Sequence, residues 1–208
     1  MIEILFLGKN CSAYCKRYGE KRPDLQFACE NSGCNCRVLH EHGCFWRIAV
    51  TKHRQYELPI YRWRCPICGR TVSVLPDFLA PWGHFVIPVR EAAMKRRQLG
   101  QSFRKIARGV ASAAIGGIHP KTVKRWWTRH LAKAGGTALW VAAELIRFGV
   151  DEDLLRSHFR GVNPSPEDTV RWLDVLLQRY LRLLGLDPSP LRGRFSSSNT
   201  LLPVHLRI

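Results

Sequence analysis

Cys65 and Cys68 flank a Pro-Ile pair and are followed at once by Gly69. Two thiolates at that spacing chelate one side of a metal ion, and the glycine permits the tight turn that aims backbone amides at the sulfurs. Tetrahedral zinc takes four such ligands. The cysteine-rich stretch CENSGCNC, residues 29–36, is the source of the other two. Four residues separate Cys29 from Cys34 and one separates Cys34 from Cys36, so neither spacing repeats that of Cys65 and Cys68. The expected upstream pair is Cys29 and Cys34, with Cys36 in reserve and His40 and His42 as further candidates. Cys11, Cys15 and Cys44 read as small core residues. All eight cysteines lie at or before Cys68. Clustered in this way in a reducing cytosol, they are metal ligands before they are disulfides. Four thiolates leave no coordination position open, so the expected cofactor is one structural Zn2+ and not a catalytic one.

A second stretch with chemistry in it is HPKTVKRWWTRHLAKAGG. A helix from Pro120 to Lys133 has Pro120 at its first position and Gly135 just past its end. One face carries Val123, Trp126, Trp127, His130 and Leu131; the other carries Lys121, Thr122, Lys124, Arg125, Thr128 and Arg129. Ahead of it SFRKIARGV starts at a Ser102 N-cap, with Phe103, Ile106 and Val110 on one stripe. The pair has the pattern of a helix-turn-helix, whose second helix enters the major groove. Lys121, Thr122 and Arg125 would then lie at or near bases, and Lys124, Arg129, Arg104 and Lys105 mostly against phosphates. The connector ASAAIGGIH is longer than the usual turn, so either the first helix extends through Ala114 or the turn is expanded. The plain alternative is an amphipathic helix with a solvated basic face.

These residues must be positioned by the rest of the chain. Apolar runs predict strands over residues 2–7, 44–51, 56–65 and 70–76, with a hairpin at KHRQ and Pro59 marking an edge strand. Residues 8–28 read as polar and irregular. Helical periodicity covers residues 89–99 and 102–110, the stretch after Gly135, 151–159, and 167–185. Asn163, Pro164 and Pro166 mark a loop, and the tail from Asp187 is expected to be poorly ordered. The fold class is α+β: a small zinc-ribbon-like β-sheet, a helix-turn-helix segment, and C-terminal helices. The corresponding divisions are 1–84, 85–135, 136–186 and 187–208.

The chain has 208 residues and a formal net charge of +17, which points to a polyanion as partner. Through Gly135 there are 24 Lys and Arg against 8 Asp and Glu; beyond it, 9 against 8. The polyanion therefore belongs to the first two thirds. No apolar run suits a signal peptide or a membrane span, so a cytoplasmic protein with no membrane partner is expected. The 73 residues after Gly135 are too few for an RNase H-like catalytic domain. Their acids, Asp151, Glu152, Asp153, Glu167, Asp168 and Asp174, sit mainly at helix starts, where the dipole favours them. No enzyme is expected. The apolar faces of Leu139–Ile146 and Val170–Leu184 suit either a partner or the chain's own packing.

The stretches HEHGCFWRIAV (40–50), RWRCPICGRTVSVLPDFLAPW (62–82) and the helix start HPKTVKRWW give the chain a family likeness over roughly residues 25–135. It resembles an uncharacterised bacterial, transposon-associated family, catalogued as a domain of unknown function. That family's members look like a zinc ribbon followed by a helix-turn-helix, as at the front of insertion-sequence transposases. In that family a Cys-Pro-x-Cys-Gly knuckle precedes an HG dipeptide. Counting back from His42-Gly43, Cys34 matches its second cysteine and Cys29 its first, with two extra residues between. The resemblance implies binding of double-stranded DNA linked to a mobile element; the apolar faces of the C-terminal helices suit a transposase or a second copy as a further partner. The expected function is non-catalytic, sequence-specific DNA binding associated with a mobile element. Two alternatives stand beside it. One is the DNA-binding remnant of a split transposase. The other is a zinc-ribbon RNA-binding protein that stacks bases on Phe45, Trp46, Tyr61 and Trp63.

Overall fold

β-Branched and aromatic residues crowd the runs flanking Thr51–Arg54 and Pro66–Arg70, and each run becomes a strand. In the computed structural model, which describes residues 1–151, 164–186, 194–203 and 206, the chain forms two units, Met1–Val86 and Ile87–Ile208. The first is a four-stranded sheet with one helix. Its elements are β1 (Ile2–Leu5), α1 (Cys11–Tyr18), β2 (His40–Val50), β3 (Gln55–Arg64) and β4 (Thr71–Pro76), with strand order β1-β4-β3-β2. β2–β3 and β3–β4 are antiparallel, whereas β1 lies parallel to β4. The second unit is helical: α2 (Ile87–Gln98), α3 (Phe103–Val110), α4 (Pro120–Arg147), α5 (Pro166–Leu183) and α6 (Arg194–Asn199). The fold class is α+β, as expected.

β3 is central and carries the first core. Leu58, Ile60, Tyr61 and Trp63 are all buried, so both of its faces are covered. This reverses the edge placement expected from Pro59. The reason lies in the hydrogen bonding. Pro59 sits opposite Trp46 of β2, but β4 reaches only Arg62–Arg64. The Pro59 carbonyl accepts from the Tyr14 hydroxyl at 2.7 Å. A strand residue's N and C=O face the same edge, so the missing N–H falls on the side where no strand is paired.

Tyr14 belongs to α1, which occupies a region expected to be irregular. Asn10 caps it by accepting from the Ala13 amide at 2.9 Å. Only Cys11 and Tyr14 of its eight residues are buried, too few to show as an apolar stripe in the sequence. Cys11 is in the core as expected and Cys15 is half-buried, but Cys44 is exposed. Tyr61, placed on an exposed face by the base-stacking alternative, is buried and donates to the Tyr18 carbonyl at 2.8 Å. Trp63 is buried too, leaving only Phe45 and Trp46 of that set exposed.

In the second unit α2, α3 and α4 pack on one another, and the rear of α4 packs on α5. α4 does not stop at Gly135. It runs on through Gly136 to Arg147, and the left-handed residue that follows its end is Gly149, with φ 80°. Two mid-helix glycines cost about 1 kcal/mol each. Burying Ala134, Ala138, Val141 and Leu145 against Val170, Leu173, Leu177 and Leu181 outweighs that. The apolar faces around Leu139–Ile146 and Val170–Leu184 thus find their main partner in each other. The expected division at 135/136 falls inside this helix. α6 arises from the stretch expected to be poorly ordered, and Phe195–Asn199 are buried. The expected helix over 151–159 and the loop at Asn163 lie almost wholly outside the described residues.

A buried polar network closes this unit. Glu91 of α2, 2% exposed, pairs with Lys95 at 2.8 Å and accepts from the Phe195 amide at 3.1 Å. Arg194 reaches both Glu91 and Asp174, the latter at 3.3 Å. Asp174 is therefore a mid-helix residue of α5 tied to α6, not a helix-start acid; burial pushes its carboxyl up, partly offset by Arg194 and Lys95. Beside the network His130 packs against Trp127 and Phe195. Burial pushes its pKa down to about 4, and Glu91 pulls the other way without prevailing.

Two outcomes follow for stability. A Cβ at Gly135 would meet nothing within 4 Å. Gly135→Ala should raise the unfolding free energy by up to ~1 kcal/mol, read as a higher denaturant midpoint at unchanged slope. His130 is held neutral in the fold while its unfolded-state value is the ordinary 6.5. Its contribution is fully present above pH 6.5 and is lost as pH falls from there through about 4, because the unfolded chain then takes up the extra proton. His130→Gln should remove on the order of 3 kcal/mol of that acid-induced loss in a pH series of denaturant titrations.

Candidate metal centre

The turn between β3 and β4 builds half of the centre. Cys65 follows the last residue of β3, and its amide donates to the Arg70 carbonyl at 2.8 Å. The Gly69 amide donates back to the Cys65 carbonyl at 3.0 Å, with Gly69 at φ 72°. A β-carbon residue would be strained there. The Cys68 amide points at Cys65 Sγ from 3.4 Å.

The other half comes from a loop with no regular structure of its own. The Cys29 amide donates to Cys36 O at 3.0 Å, Cys34 N to Asn31 O at 2.8 Å, and Leu39 N to Phe27 O at 2.8 Å. The Phe27 ring stands edge-on to Trp63, 5.0 Å between centroids, and so anchors the loop to β3. These bonds bring Cys29 Sγ to 3.5 Å from Cys68 Sγ and Cys34 Sγ to 3.5 Å from Cys65 Sγ. All four sulfurs lie within 4.8 Å of one another. A tetrahedron with metal–sulfur bonds of about 2.3 Å has edges of about 3.8 Å, so the group fits one ion.

The sequence's irregular spacing is resolved in favour of Cys29 and Cys34. Cys36 is buried, and its thiol donates to the Val38 carbonyl at 3.1 Å instead. His40 and His42 are exposed along the groove beside Cys65 and Cys68 and do not join the group. Proton sharing divides the four thiols. For Cys65, burial pushes upward, but the Cys68 and Ile67 amides and the Cys34 thiol prevail and hold it below the ordinary thiol range. The Arg70 amide chiefly holds Cys68 down as well. Cys29 and Cys34 are raised: the Asn31 and Cys36 amides respectively pull them down, but burial and the opposing thiols outweigh that. Each 3.5 Å pair thus sets a sulfur whose pKa is raised against one whose pKa is lowered, and a bound cation would hold all four as thiolates.

The residues singled out for nucleic acid lie on the second unit. Lys121, Lys124, Arg125 and Arg129 are exposed on the first half of α4, Thr122 is half-buried, and Arg104 and Lys105 are exposed on α3. Ser102 caps α3 as expected, accepting from the Lys105 amide, and His119 Nδ1 accepts from the Lys121 amide. α3 ends at Val110, so the connector is an expanded turn, containing one short 3-10 turn and left-handed Gly116 and Gly117. The sequence reading passed over Arg108, which is exposed on α3 beside Arg104 and Lys105. It also missed the guanidinium of Arg90 over Trp126, and that of Arg97 over Phe103 and Trp127. The signal that could have found them is the scarcity of acids. Between Asp77 and Glu144 the single acid is Glu91, and it is buried. Residues 78–143 therefore expose no carboxylate.

Residues 32–126 match the sequence profile of a domain of unknown function (DUF6431). The matched stretch contains Cys34, Cys65, Cys68, α2, α3 and the start of α4; Cys29 lies just ahead of it. No curated protein and no solved structure matches the chain. Among the described residues no helix is long and apolar enough to cross a membrane.

Metal content measures the ligand assignment. The purified protein should carry one metal ion per chain, Cys65→Ser should lose most of it, and Cys36→Ser should keep it. Undiminished metal in Cys65→Ser would contradict the assignment.

Proposed function

We propose that this is a non-catalytic, sequence-specific protein of the cytoplasm that binds double-stranded DNA, with one structural Zn2+ on Cys29, Cys34, Cys65 and Cys68. The observation that carries the DNA reading is that residues 87–143 of the second unit expose no carboxylate and hold twelve Lys and Arg. A solvated helix face in an ordinary protein mixes both signs; a surface of one sign focuses a field on a polyanion. α3 and α4 act as a helix-turn-helix with a lengthened turn. At 100° per residue Lys121, Lys124, Arg125, Thr128 and Arg129 share the outward arc of α4. Its first turns enter the major groove, with Lys121, Thr122 and Arg125 at bases. Lys124, Arg129, Arg104, Lys105 and Arg108 hold phosphates.

Zinc is favoured by the donors. Four thiolates in tetrahedral reach suit Zn2+, and a closed shell suits a structural role. The RNA reading loses support because Tyr61 and Trp63 are buried and cannot stack bases. The association with a mobile element rests on the sequence resemblance. A transposase or a second copy would find Leu139, 67% exposed on α4, and Val175 and Leu183 on α5.

Competition between duplex DNA and single-stranded RNA across a salt series tests this. Duplex DNA should win, with affinity falling linearly in log salt. Arg125→Ala should cost about 5- to 150-fold and relax preference at one base pair, whereas Lys124→Ala should weaken all sequences alike and lower the salt slope by about 1. Tighter RNA binding, or no salt-sensitive binding, would overturn the reading.

A further inference from the structure

The cations of α2 have partners, with one exception. Arg90 lies over the Trp126 ring, and Lys95 pairs with Glu91. Arg97 lies over Phe103 and donates to the Gln101 carbonyl at 3.2 Å. Arg96 is half-buried, and among the described residues its guanidinium makes no hydrogen bond, ion pair or ring contact. A cation withdrawn from water without a partner is costly. No carboxylate exposed on residues 87–143 is there to take it.

What holds the group is a notch in α3. A Cβ at Gly109 would collide with Arg96 Nη1, and would meet its Cζ at 3.1 Å and its Nη2 at 3.5 Å. The missing side chain at Gly109 is what admits the guanidinium. None of its nitrogens is both buried and unbonded, so the fork reaches the surface. Around α3, at about 100° per residue, Arg104, Arg108, Lys105 and Gly109 follow one another on the side away from Ile106, Ala107 and Val110. The three cations in that row are exposed, and the guanidinium seated at Gly109 extends it toward α2.

We propose that Arg96 binds a backbone phosphate of the bound DNA and that Gly109 is the residue that positions it. This rests on the DNA-binding reading and adds α2 to the interface as a third helix beside α3 and α4. A guanidinium presents a planar fork that matches two phosphate oxygens at once. Seated in the notch before the ligand arrives, it loses less side-chain freedom on binding than a free surface lysine would. The phosphate supplies the counter-charge that the fold leaves out.

The test uses the full-length, metal-loaded protein and a blunt DNA duplex across a salt series. Arg96→Ala should bind roughly 10-fold more weakly and lower the salt slope by about 1. Arg96→Lys should restore the slope but only part of the affinity, because an ammonium cannot make the fork. Gly109→Ala should weaken binding about as much as Arg96→Ala with the net charge unchanged, since the new methyl evicts the guanidinium. The double variant should bind no more weakly than Arg96→Ala alone. Gly109→Ala should melt no lower than wild type, because alanine favours the helix and what it displaces is the end of a flexible side chain. If wild type binds with normal salt dependence and Arg96→Ala matches it in affinity and slope, the phosphate contact is refuted while the DNA reading stands. If Gly109→Ala alone binds like wild type, the positioning role is refuted. If wild type itself shows no salt-sensitive binding, the DNA reading falls, and the contact with it.

Discussion

Convergence of four sulfurs is the constraint on which the first unit depends. The loop from Phe27 to Leu39 has no strand or helix of its own, and three backbone bonds plus the Phe27–Trp63 contact are modest fastening for thirteen residues. Ordering such a loop costs on the order of 1 kcal/mol per residue. A structural zinc binds four thiolates with about 10–16 kcal/mol in small zinc domains, enough to offset that cost. The ion would tie the loop to the β3–β4 turn, and through that turn to β3, whose two faces form the core. Arg22 adds a second fastening. Its guanidinium lies over the Tyr61 and Trp63 rings and donates to the Arg62 and Gly43 carbonyls.

The second unit solves a different problem, which is how to gather positive charge without paying it back in acids. Its one acid within the basic stretch, Glu91, is taken inside and used as an anchor for Lys95 and the α6 backbone. The half-buried Arg90 and Arg97 lie on aromatic rings, a cation–π arrangement that needs no carboxylate. The exposed charge on α3 and α4 is thereby left for solvent or a polyanion. Farther along α4 the outward face turns mostly neutral from Thr128 on, through Ala132, Gly135 and Leu139, with Arg129 and Lys133 along its flank. One long helix therefore carries two surfaces of different character.

Much of this was legible where a residue type leaves little choice. The Cys65–Cys68–Gly69 turn, the Ser102 cap, Pro120 at a helix start and the strands Gln55–Arg64 and Thr71–Pro76 appear where the sequence places them, and the strand expected over 44–51 begins four residues earlier, at His40. What was not legible depended on partners distant in sequence. α1 buries just two side chains, so no periodicity marks it. Pro59 reads as an edge signal until Tyr14 is seen to take its carbonyl. Gly135 reads as a stop until α5 is seen to cover the face beyond it. The upstream cysteine pair could be favoured but not fixed from spacing, because loop geometry rather than interval decides that Cys36 turns to Val38.

The account stands or falls on the composition of the metal's coordination shell. X-ray absorption at the zinc edge of the purified protein should return four sulfur neighbours at about 2.3 Å and no nitrogen or oxygen. A shell containing a histidine nitrogen or a water oxygen, or no zinc at all, would contradict it.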